Sequence, residues 1–340
     1  MRIYRGYRHR DLAQPCALTI GNFDGVHRGH QAMLALLRSE AQHRGLTVRV
    51  MTFEPHPREY FAPNTAPARI STLRDKLTEL ERCGVDEVVV LPFKAALASL
   101  DAQRFISDIL VQGLQVRYVL VGDDFRFGAR RAGDYALLDA AGGELGFDVA
   151  RMNSYEVHGL RVSSSAVREA LALGQMTLAS SLLGRPYAIS GHVVHGRKLG
   201  RELGAGTLGA GQGFRTLNLR FSHRRPAASG IFVVEVHGLA PQPLQGVANL
   251  GVRPSLDSND VNQGRVLLET HVLNWPTALG PEGGYGKLAR VDLLHKLHDE
   301  IKYEGLDALT LGIARDCEDA RAWFASRHGQ TRRQTTRDRI

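Results

Sequence analysis

The sequence predicts an α/β unit with a parallel sheet, followed by a β unit built as an antiparallel barrel with a closing helix. Strand-like and helix-like patterns alternate from residue 17 to about residue 185, and such alternation gives a parallel sheet with helices on both faces. From residue 187, short β-rich runs broken by glycine replace that pattern, which is typical of a barrel. We therefore expect one domain at 1–185, a second at 186–328, and a disordered basic tail at 329–340.

The composition is that of a globular protein with more than one core. The chain has 340 residues, of which 43% are hydrophobic and 23% charged. Its net charge of +8 favours anionic ligands; the positive charge is scattered outside the tail, so nucleotides fit better than nucleic acid. Three widely spaced cysteines argue for a reducing compartment and against a zinc site. Because no apolar run approaches about 20 residues and no signal-peptide pattern opens the chain, we expect a cytoplasmic protein without a membrane span.

Each element of the first unit follows from a periodic pattern. Apolar runs predict buried strands at 17–20, 46–53, 87–91, 117–121 and 147–152. Apolar residues at helical spacing predict helices at 71–83, 135–141 and 176–183, and Asp101 is a plausible N-cap of a helix through Leu110. Ligands of parallel sheets bind beyond the carboxyl ends of the strands, so the residues that follow the strands are the candidates for a site.

The most informative stretch is the junction between the first strand and its helix, residues 17–30. The strand breaks at Gly21, a polar turn follows, and helical periodicity begins after His30. A helix N-terminus directs free backbone N–H groups at one spot, where a phosphate is favoured. His27 and His30 lie at that spot, and Gly29 between them lets a ligand approach the backbone closely.

Three further strand ends carry candidate residues. Residues 53–57 hold a histidine between two prolines in a rigid turn, and residues 122–128 offer two phenylalanines as a platform for a planar ring. Residues 163–165 are three serines before a helical pattern, and at least one is expected to cap that helix. Their hydroxyls, together with Arg168, can also bind a triphosphate. Taken alone, each loop is as well explained as an ordinary connection.

The second unit is predicted from short strands and one amphipathic helix. The strands are expected at 187–189, 192–195, 217–221, 231–237, 246–250, 266–273 and 289–294. The closing helix has one apolar face, formed by Leu306, Leu309, Ile313, Cys317, Ala320 and Phe324.

Candidate residues of the second unit are weaker when each is taken alone. A connection that contains Gly196 and Gly200 can cradle phosphates. Thr216 and Asn218 alternate to one face of a strand and offer oxygen ligands that suit magnesium, although a solvated polar face is the simpler interpretation. Glu269 in an apolar strand is either a solvated residue or a general base.

These strings together resemble the bacterial bifunctional riboflavin kinase/FMN adenylyltransferase (FAD synthetase) family. The patterns GNFDGVHxGH, TFEPHP and GxDFxFG stand intact at residues 21–30, 52–57 and 122–128. The pattern (I/V)SSTxIR is present with Ser165 in the threonine position. The kinase patterns of the family follow in the second half, so the resemblance covers roughly residues 15–326.

The resemblance implies a Rossmann-like nucleotidyltransferase sheet and two reactions. ATP would phosphorylate riboflavin to FMN and then adenylylate FMN to FAD with release of pyrophosphate, in each case with Mg²⁺ bound to ATP. The implied catalytic residues are His27, His30, Arg168 and Glu269. The implied ATP-binding residues are Gly21, Phe23, Asp24, Gly29, Ser164, Ser165, Gly196 and Gly200. The implied flavin-binding residues are Phe53, Pro55, His56, Asp124, Phe125 and Phe127, and the implied metal ligands are Thr216 and Asn218.

Two departures from the family pattern affect the kinase half. Residues 205–213 are an insertion, with Arg215 next to it in a proline position, and His298 replaces an arginine. One alternative is therefore an FMN adenylyltransferase whose kinase domain is impaired by the insertion. A further alternative is a non-catalytic flavin- or RNA-binding regulator, but intact His27 and His30 argue against it, since a binder needs no donors aimed at a transition state.

Overall fold

The computed structural model describes residues 1–157, 159–195, 216–220, 225–252, 266–280 and 282–337, with the backbone only at 220, 252, 306 and 328–337. The chain forms two compact units. The first consists of Met1–Pro67 and Leu73–Ala166, and the second of Ala68–Thr72 and Val167–Ile340. Within the described part of the chain, none of the helices combines the length and apolar character needed to cross a membrane.

The first unit is built on a six-stranded sheet. Its strands are β1 (Arg2–Arg5), β2 (Cys16–Ile20), β3 (Thr47–Glu54), β4 (Glu87–Pro92), β5 (Val116–Gly122) and β6 (Asp148–Met152). They lie in the order β1-β4-β3-β2-β5-β6, and every neighbouring pair is parallel. The predicted parallel sheet is thereby confirmed. The edge strand β1 was not predicted, because four residues with two arginines leave no apolar run to detect.

Helices cover both faces of this sheet. They are α1 (Arg28–Arg44), α3 (Leu73–Arg82), α4 (Ala95–Ala98), α5 (Ala102–Arg104), its π-helical continuation Phe105–Gly113 and α6 (Tyr135–Leu145). Helix α2 (Pro57–Phe61) follows β3 in the chain, and α7 (Ser164–Ala172) begins in the first unit and continues in the second. Leu34 and Leu37 of α1 are fully buried on one face, and Ile109 of the π-helical segment is fully buried on the other. A small hairpin of β7 (Glu156–Val157) and β8 (Leu160–Arg161) adds to the first unit.

The strand order brings the informative loops to one edge of the sheet. Strand β2 lies between β3 and β5. Because all three run parallel, the turn after Ile20, the loop after Glu54 and the loop after Gly122 leave the sheet at its carboxyl edge. That edge is where the sequence places the candidate nucleotide site.

The second unit is built on a closed antiparallel barrel, as predicted. Its strands are β9 (Tyr187–Val194), β10 (Thr216–Arg220), β11 (Gly230–His237), β12 (Leu244–Val252), β13 (Val266–Val272) and β14 (Leu288–His298), in the order β10-β13-β12-β11-β14-β9. Residues 187–194 form one strand rather than the two expected, because Gly191 stays extended and pairs with Ala289. Its interior is aliphatic and aromatic, with Phe232, Leu250 and Leu268 fully buried.

Two helices pack on the barrel. Helix α8 (Met176–Leu183) packs against β9 and β14, so it groups with the second compact unit although it precedes residue 185. Helix α9 (Leu306–Arg337) packs its apolar face on the outer face of the barrel, through contacts of Cys317, Ala320 and Phe324 with Val233 and Val247.

The end of α9 differs from the prediction of a disordered tail that begins at residue 329. Residues 329–337 continue the helix to Arg337. The basic composition suggested disorder, but the segment after residue 329 contains neither glycine nor proline. Arginine and glutamine are good helix formers, and a helix already nucleated by packing elongates easily.

Candidate active sites

The turn between β2 and α1 holds His27 in a defined orientation. His27 is the N-cap of α1, and its Nδ1 accepts a hydrogen bond from the backbone N–H of His30 at 3.4 Å. Because Nδ1 is the acceptor, the neutral imidazole carries its proton on Nε2, which is then available as a donor. Phe23 and Val26 of the same turn have positive φ angles of 47° and 40°, a strain that proteins tolerate mainly at functional sites.

His30 is a half-buried imidazole in this arrangement, and it is neutral. Its ring stacks on that of His27 with centroids 3.7 Å apart, and Phe23 lies 4.9 Å away. Burial, and after it the charges of His27 and Lys76, hold the pKa of His30 well below its ordinary value. Its Nδ1 is buried without a hydrogen-bond partner among the described residues, so a polar atom faces the site with no protein group to satisfy it.

The glycines of the turn are needed for packing within the protein. A Cβ atom at Gly29 would lie 3.3 Å from two ring atoms of His27 and 3.4 Å from the carbonyl oxygen of Val162. A Cβ at Gly21 would lie 3.1 Å from the ring of Phe23. Both predicted ATP-binding glycines therefore allow the histidine and phenylalanine rings to pack against the backbone.

The serine cluster divides its roles between capping and the site. Ser163 accepts a hydrogen bond from the backbone N–H of Ala166 at 3.2 Å and so caps α7. The hydroxyl of Ser164 donates to the carbonyl oxygen of Asp24 at 3.1 Å, which ties the helix to the histidine turn. Asp24 is itself buried. Ser165 is exposed.

Arg168 follows Ser164 by one helical turn on α7. It belongs to the second compact unit, where its Nε donates to the carbonyl oxygen of Ala68 at 2.7 Å.

The loop after β3 is a capped turn with an aromatic cluster. His56 caps α2, with its Nδ1 accepting from the backbone N–H of Arg58 at 3.1 Å. Its predicted neighbour Pro55 is exposed and follows a cis peptide bond. The ring of Phe53 meets Phe93 edge-on at 5.8 Å. Sequence reasoning missed Tyr60 and Phe61, which extend this cluster through Phe93; their aromatic pair directly after the EPHP string was the available signal.

The loop after β5 stacks two aromatic rings. The rings of Phe125 and Phe127 lie 5.5 Å apart and nearly parallel. Phe127 is buried and also contacts Phe105 of the core. Its ring therefore packs between Phe125 and the core. Asp124 is exposed. This loop therefore presents one half-buried ring and one carboxylate at the edge of the sheet.

The second candidate site is a row of three polar residues across neighbouring barrel strands. Glu269 of β13 lies directly opposite Asn218 of β10 and directly opposite Asn249 of β12. Directly opposed residues project from the same face with Cβ atoms about 4.5–5.5 Å apart. The face is the outer one, because Val247, two residues before Asn249, packs in the cluster formed with α9.

The oxygens of this row suit a hard cation. The Oδ1 atoms of Asn218 and Asn249 are buried without hydrogen-bond partners among the described residues. Asn218 uses its Nδ2 to donate to the carbonyl oxygen of Thr216 at 3.3 Å, which leaves Oδ1 pointing away from that bond. Amide, hydroxyl and carboxylate oxygens are ligands that Mg²⁺ prefers, so the residues fit the predicted ion. Gly196, Gly200, Arg215 and the insertion at 205–213 lie outside the described residues.

Two family models divide the chain between them. The model described as FAD synthetase matches residues 9–166, and the model described as riboflavin kinase matches residues 183–324. A bifunctional riboflavin kinase/FMN adenylyltransferase from Escherichia coli (strain K12) is 46% identical over 326 residues, which are 95% of this chain and 98% of that protein. The chain belongs to the bifunctional riboflavin kinase/FMN adenylyltransferase family.

Other relatives agree with this membership. The Haemophilus influenzae protein of the same description is 41% identical over 96% of this chain and 100% of its own length. A crystal structure described as a macrolide-efflux protein from Streptococcus pneumoniae aligns with a TM-score of 0.73, 25% identity and 95% coverage of this chain and 100% of that one. That likeness supports the fold.

His298, which departs from the family pattern, has an acceptor at each ring nitrogen. Its Nε2 lies 2.8 Å from a carboxylate oxygen of Asp316 and its Nδ1 lies 2.7 Å from the carbonyl oxygen of Asp299. Burial lowers the pKa of His298, but the hydrogen bonds to Asp316 and Asp299 outweigh it and the net pKa is raised. Both ring nitrogens face acceptors, so the geometry favours the imidazolium. His298 also lies opposite Ile231, in line with Asn249.

Sequence reasoning missed two polar residues of the sites, Lys76 and Asn249. Lys76 of α3 is 3% exposed and donates from Nζ to Oγ1 of Thr52 at 3.4 Å. The available signal was its spacing, because Lys76 falls on the same helix face as Leu73, Leu77 and Leu80, and that face is otherwise apolar. Asn249 had no local signal, because only strand register places it beside Glu269.

Proposed function

We propose that this chain makes both flavin cofactors, by phosphorylating riboflavin to FMN with ATP and then adenylylating FMN to FAD. The single observation that carries the proposal is that one chain matches a FAD synthetase model and a riboflavin kinase model side by side. Relatives described as bifunctional are 46% and 41% identical over nearly their whole length. The adenylyltransferase-only alternative has no relative of its own among these matches.

In the adenylyl transfer, a phosphate oxygen of FMN attacks the α-phosphorus of ATP while the bond to the β-phosphate oxygen breaks and pyrophosphate leaves. The reaction needs donors aimed at oxygens that gain negative charge. We assign that role to His27 and His30, supported by the stacked geometry and by the proton on Nε2 of His27. Ser164 and Ser165 at the start of α7, and Arg168 one turn later, are proposed to bind the remaining phosphates.

We propose that the flavin of the same reaction lies over the loops after β3 and β5. Phe53 and Phe125 offer half-buried rings, and Phe127 supports Phe125 from the core. His56 and Pro55 shape one loop, and exposed Asp124 offers a carboxylate to a polar edge of the ring system. The proposal rests on the placement of both loops at the carboxyl edge of one sheet.

In the kinase reaction, the ribityl 5′-hydroxyl oxygen attacks the γ-phosphorus of ATP, the bond to the β-phosphate oxygen breaks, and ADP leaves. We propose that Glu269 accepts the hydroxyl proton as general base. Thr216 and Asn218 are proposed to hold a Mg²⁺ ion, which when bound offsets the charge of the phosphates. Oδ1 of Asn218 supports this assignment, because it is buried and has no hydrogen-bond partner in the part of the chain that the structure describes. Gly196 and Gly200 are proposed to bind the ATP phosphates through their backbone N–H groups.

We further propose that each activity is confined to one domain, 1–185 and 186–328, and that the enzyme works in the cytoplasm. The proposal of the cytoplasm rests on the sequence, whose three widely spaced cysteines suit a reducing compartment. A fragment that ends at residue 185 should convert FMN to FAD, with the full chain as control. A folded fragment that binds neither ATP nor FMN would contradict the boundary.

The test of the function is direct. The full chain is incubated with riboflavin, ATP and Mg²⁺, and riboflavin, FMN and FAD are resolved by chromatography; FAD should accumulate after FMN. Starting from FMN separates the two steps, since an adenylyltransferase alone would form FAD only in that reaction. Product formation in neither reaction would refute the proposal.

A further inference from the structure

Lys76 is a buried cation whose placement calls for a function. It lies on α3 and is 3% exposed, in a helix whose inward residue Leu80 is fully buried. Burying an ammonium group costs several kcal/mol unless the surroundings compensate it. Methionine or leucine would fill the same space without that cost, and buried, charged residues at the edge of a cleft cluster at functional sites.

The ammonium group of Lys76 points toward the turn that holds the two histidines. Its Nζ donates to Oγ1 of Thr52 at 3.4 Å, and Oγ1 of Thr52 donates to the carbonyl oxygen of Asn22 at 3.3 Å. Thr52 lies near the carboxyl end of β3, and Asn22 lies in the turn after the neighbouring strand β2. The charge of Lys76 is felt at His30, which belongs to the same turn.

Two polar atoms of this turn lack a partner among the described residues. They are Nδ1 of His30 and Oδ1 of Asn22, and both are buried. Unsatisfied atoms of this kind indicate a place for a polar ligand, and the buried cation beside them favours a ligand that carries negative charge.

The histidines alone supply little positive charge to such a ligand. Their rings stack with centroids 3.7 Å apart, and at that separation two imidazolium charges repel each other strongly. Burial keeps His30 neutral as well. Lys76, in contrast, acts as a charge on this turn, where it is felt at His30, and a fixed cation is worth most in a water-excluded site.

We propose that Lys76 is a further catalytic residue of the adenylyl-transfer site, whose ammonium binds an oxygen of the nucleotide triphosphate and stabilises the negative charge that moves onto the leaving pyrophosphate. The proposal rests on the proposed adenylyltransferase function. Lys76 supplies the permanent charge, and His27 and His30 supply oriented hydrogen bonds. In the free protein the ammonium is held ready by Thr52.

A purely structural role makes a different prediction. Lys76 could serve only to fix the turn, through Thr52 and the carbonyl oxygen of Asn22. Thr52→Val removes that relay but leaves the charge, whereas Lys76→Met removes the charge and keeps the volume. The two variants therefore separate a contact with the nucleotide from support of the turn.

The experiment measures both activities of the full chain. FAD formation from FMN is followed with varied ATP, so that kcat and KM are obtained separately, and FMN formation from riboflavin in the same preparation reports an intact protein. Lys76→Met should lower kcat for FAD formation by about 10²-fold, and Lys76→Arg should recover part of it. Thr52→Val should lose far less than Lys76→Met. Lys94→Met, at an exposed lysine of the same unit, is the matched control and should behave as wild type.

Several outcomes would overturn the proposal. It fails if Lys76→Met makes FAD within about threefold of the wild-type rate, or if Thr52→Val loses as much as Lys76→Met. If Lys76→Met proves unfolded, the Lys76→Arg variant provides the test. Inorganic pyrophosphate should inhibit this variant about threefold or more weakly than the wild type, because arginine does not replace a lysine point charge. An unchanged inhibition constant overturns the assignment. Failure of the wild-type chain to make FAD would instead refute the proposed function.

Discussion

The neutral state of His30 makes a specific prediction about stability against pH. The folded chain holds the pKa of His30 well below its ordinary value of 6.5, first by burial and then by the nearby charges of His27 and Lys76. An unfolded chain returns this histidine to water, where it binds a proton below pH 6.5. The unfolded state then holds more protons than the folded state, so stability falls as pH falls through 6.5 toward the folded-state pKa.

The magnitude follows from this difference. At about pH 5.5 the unfolded imidazole is protonated and the folded one is not, which costs about 1.4 kcal/mol relative to neutral pH. For a unit of this size, that energy corresponds to a fall of roughly 3–5 °C in the melting temperature. His30→Gln removes the titrating group. Between the two pH values, the variant should therefore lose about 1.4 kcal/mol less stability than the wild type.

Calorimetry of the full chain tests this at about pH 7.5 and about pH 5.5. Both tryptophans, Trp275 and Trp323, lie in the second unit. Tryptophan fluorescence therefore identifies the unfolding transition of the second unit, and the remaining calorimetric transition is assigned to the first unit, which contains His30. His43→Gln, at an exposed histidine of the same helix, is the control and should follow the wild type. If wild type and His30→Gln lose the same stability on acidification, the inference that folding keeps His30 neutral is refuted.

Four further predictions address the two reactions and the core. His27→Ala should lower FAD formation by about 10²-fold, because it removes a donor to developing charge, and leave FMN formation unchanged in the same assay; an unaltered FAD rate would contradict the assignment. Glu269→Gln should lower FMN formation by about 10²-fold or more through loss of the general base, while FAD still forms from added FMN. Deleting residues 205–213 should leave FMN formation equal or higher, because flexible loop length costs only about 0.6 kcal/mol per doubling; riboflavin conversion by the deletion variant alone would show that the insertion is inhibitory. Arg49→Met should destabilise the chain by about 3 kcal/mol in urea unfolding, because it removes the buried guanidinium 2.5 Å from the carboxylate of Glu87 and leaves that carboxylate, 1% exposed, to the largely exposed guanidinium of Arg2 at 2.7 Å.

The strong periodic segments were predicted well. The strand expected at 46–53 is Thr47–Glu54, and the helix at 176–183 is Met176–Leu183. These segments bury one face or both, so their apolar residues recur with the period of the element. Elements without such burial were missed. Strand β1 is a four-residue edge that joins the sheet through backbone hydrogen bonds, and the hairpin of β7 and β8 has two residues in each strand.

The sequence by itself determined the family, the two-unit fold class and the main catalytic candidates. It could do so because the residues of each motif are close together in the sequence. His27 and His30 are three residues apart, and the glycine, proline and serine residues at fixed positions in the motifs favour the turns and helix caps in which they lie. The roles of these residues remain predictions, and their geometry gives each a physical basis.

Only the tertiary structure decided which distant residues complete each site. Lys76 and Thr52 meet because α3 packs against the sheet beside the end of β3. Asn249 stands beside Glu269 because β12 and β13 pair in one register out of several that their apolar alternation allows. Strand pairing is made by backbone groups that are the same for every residue type. No local pattern can therefore state which side chains become neighbours; the packing of the whole unit selects them.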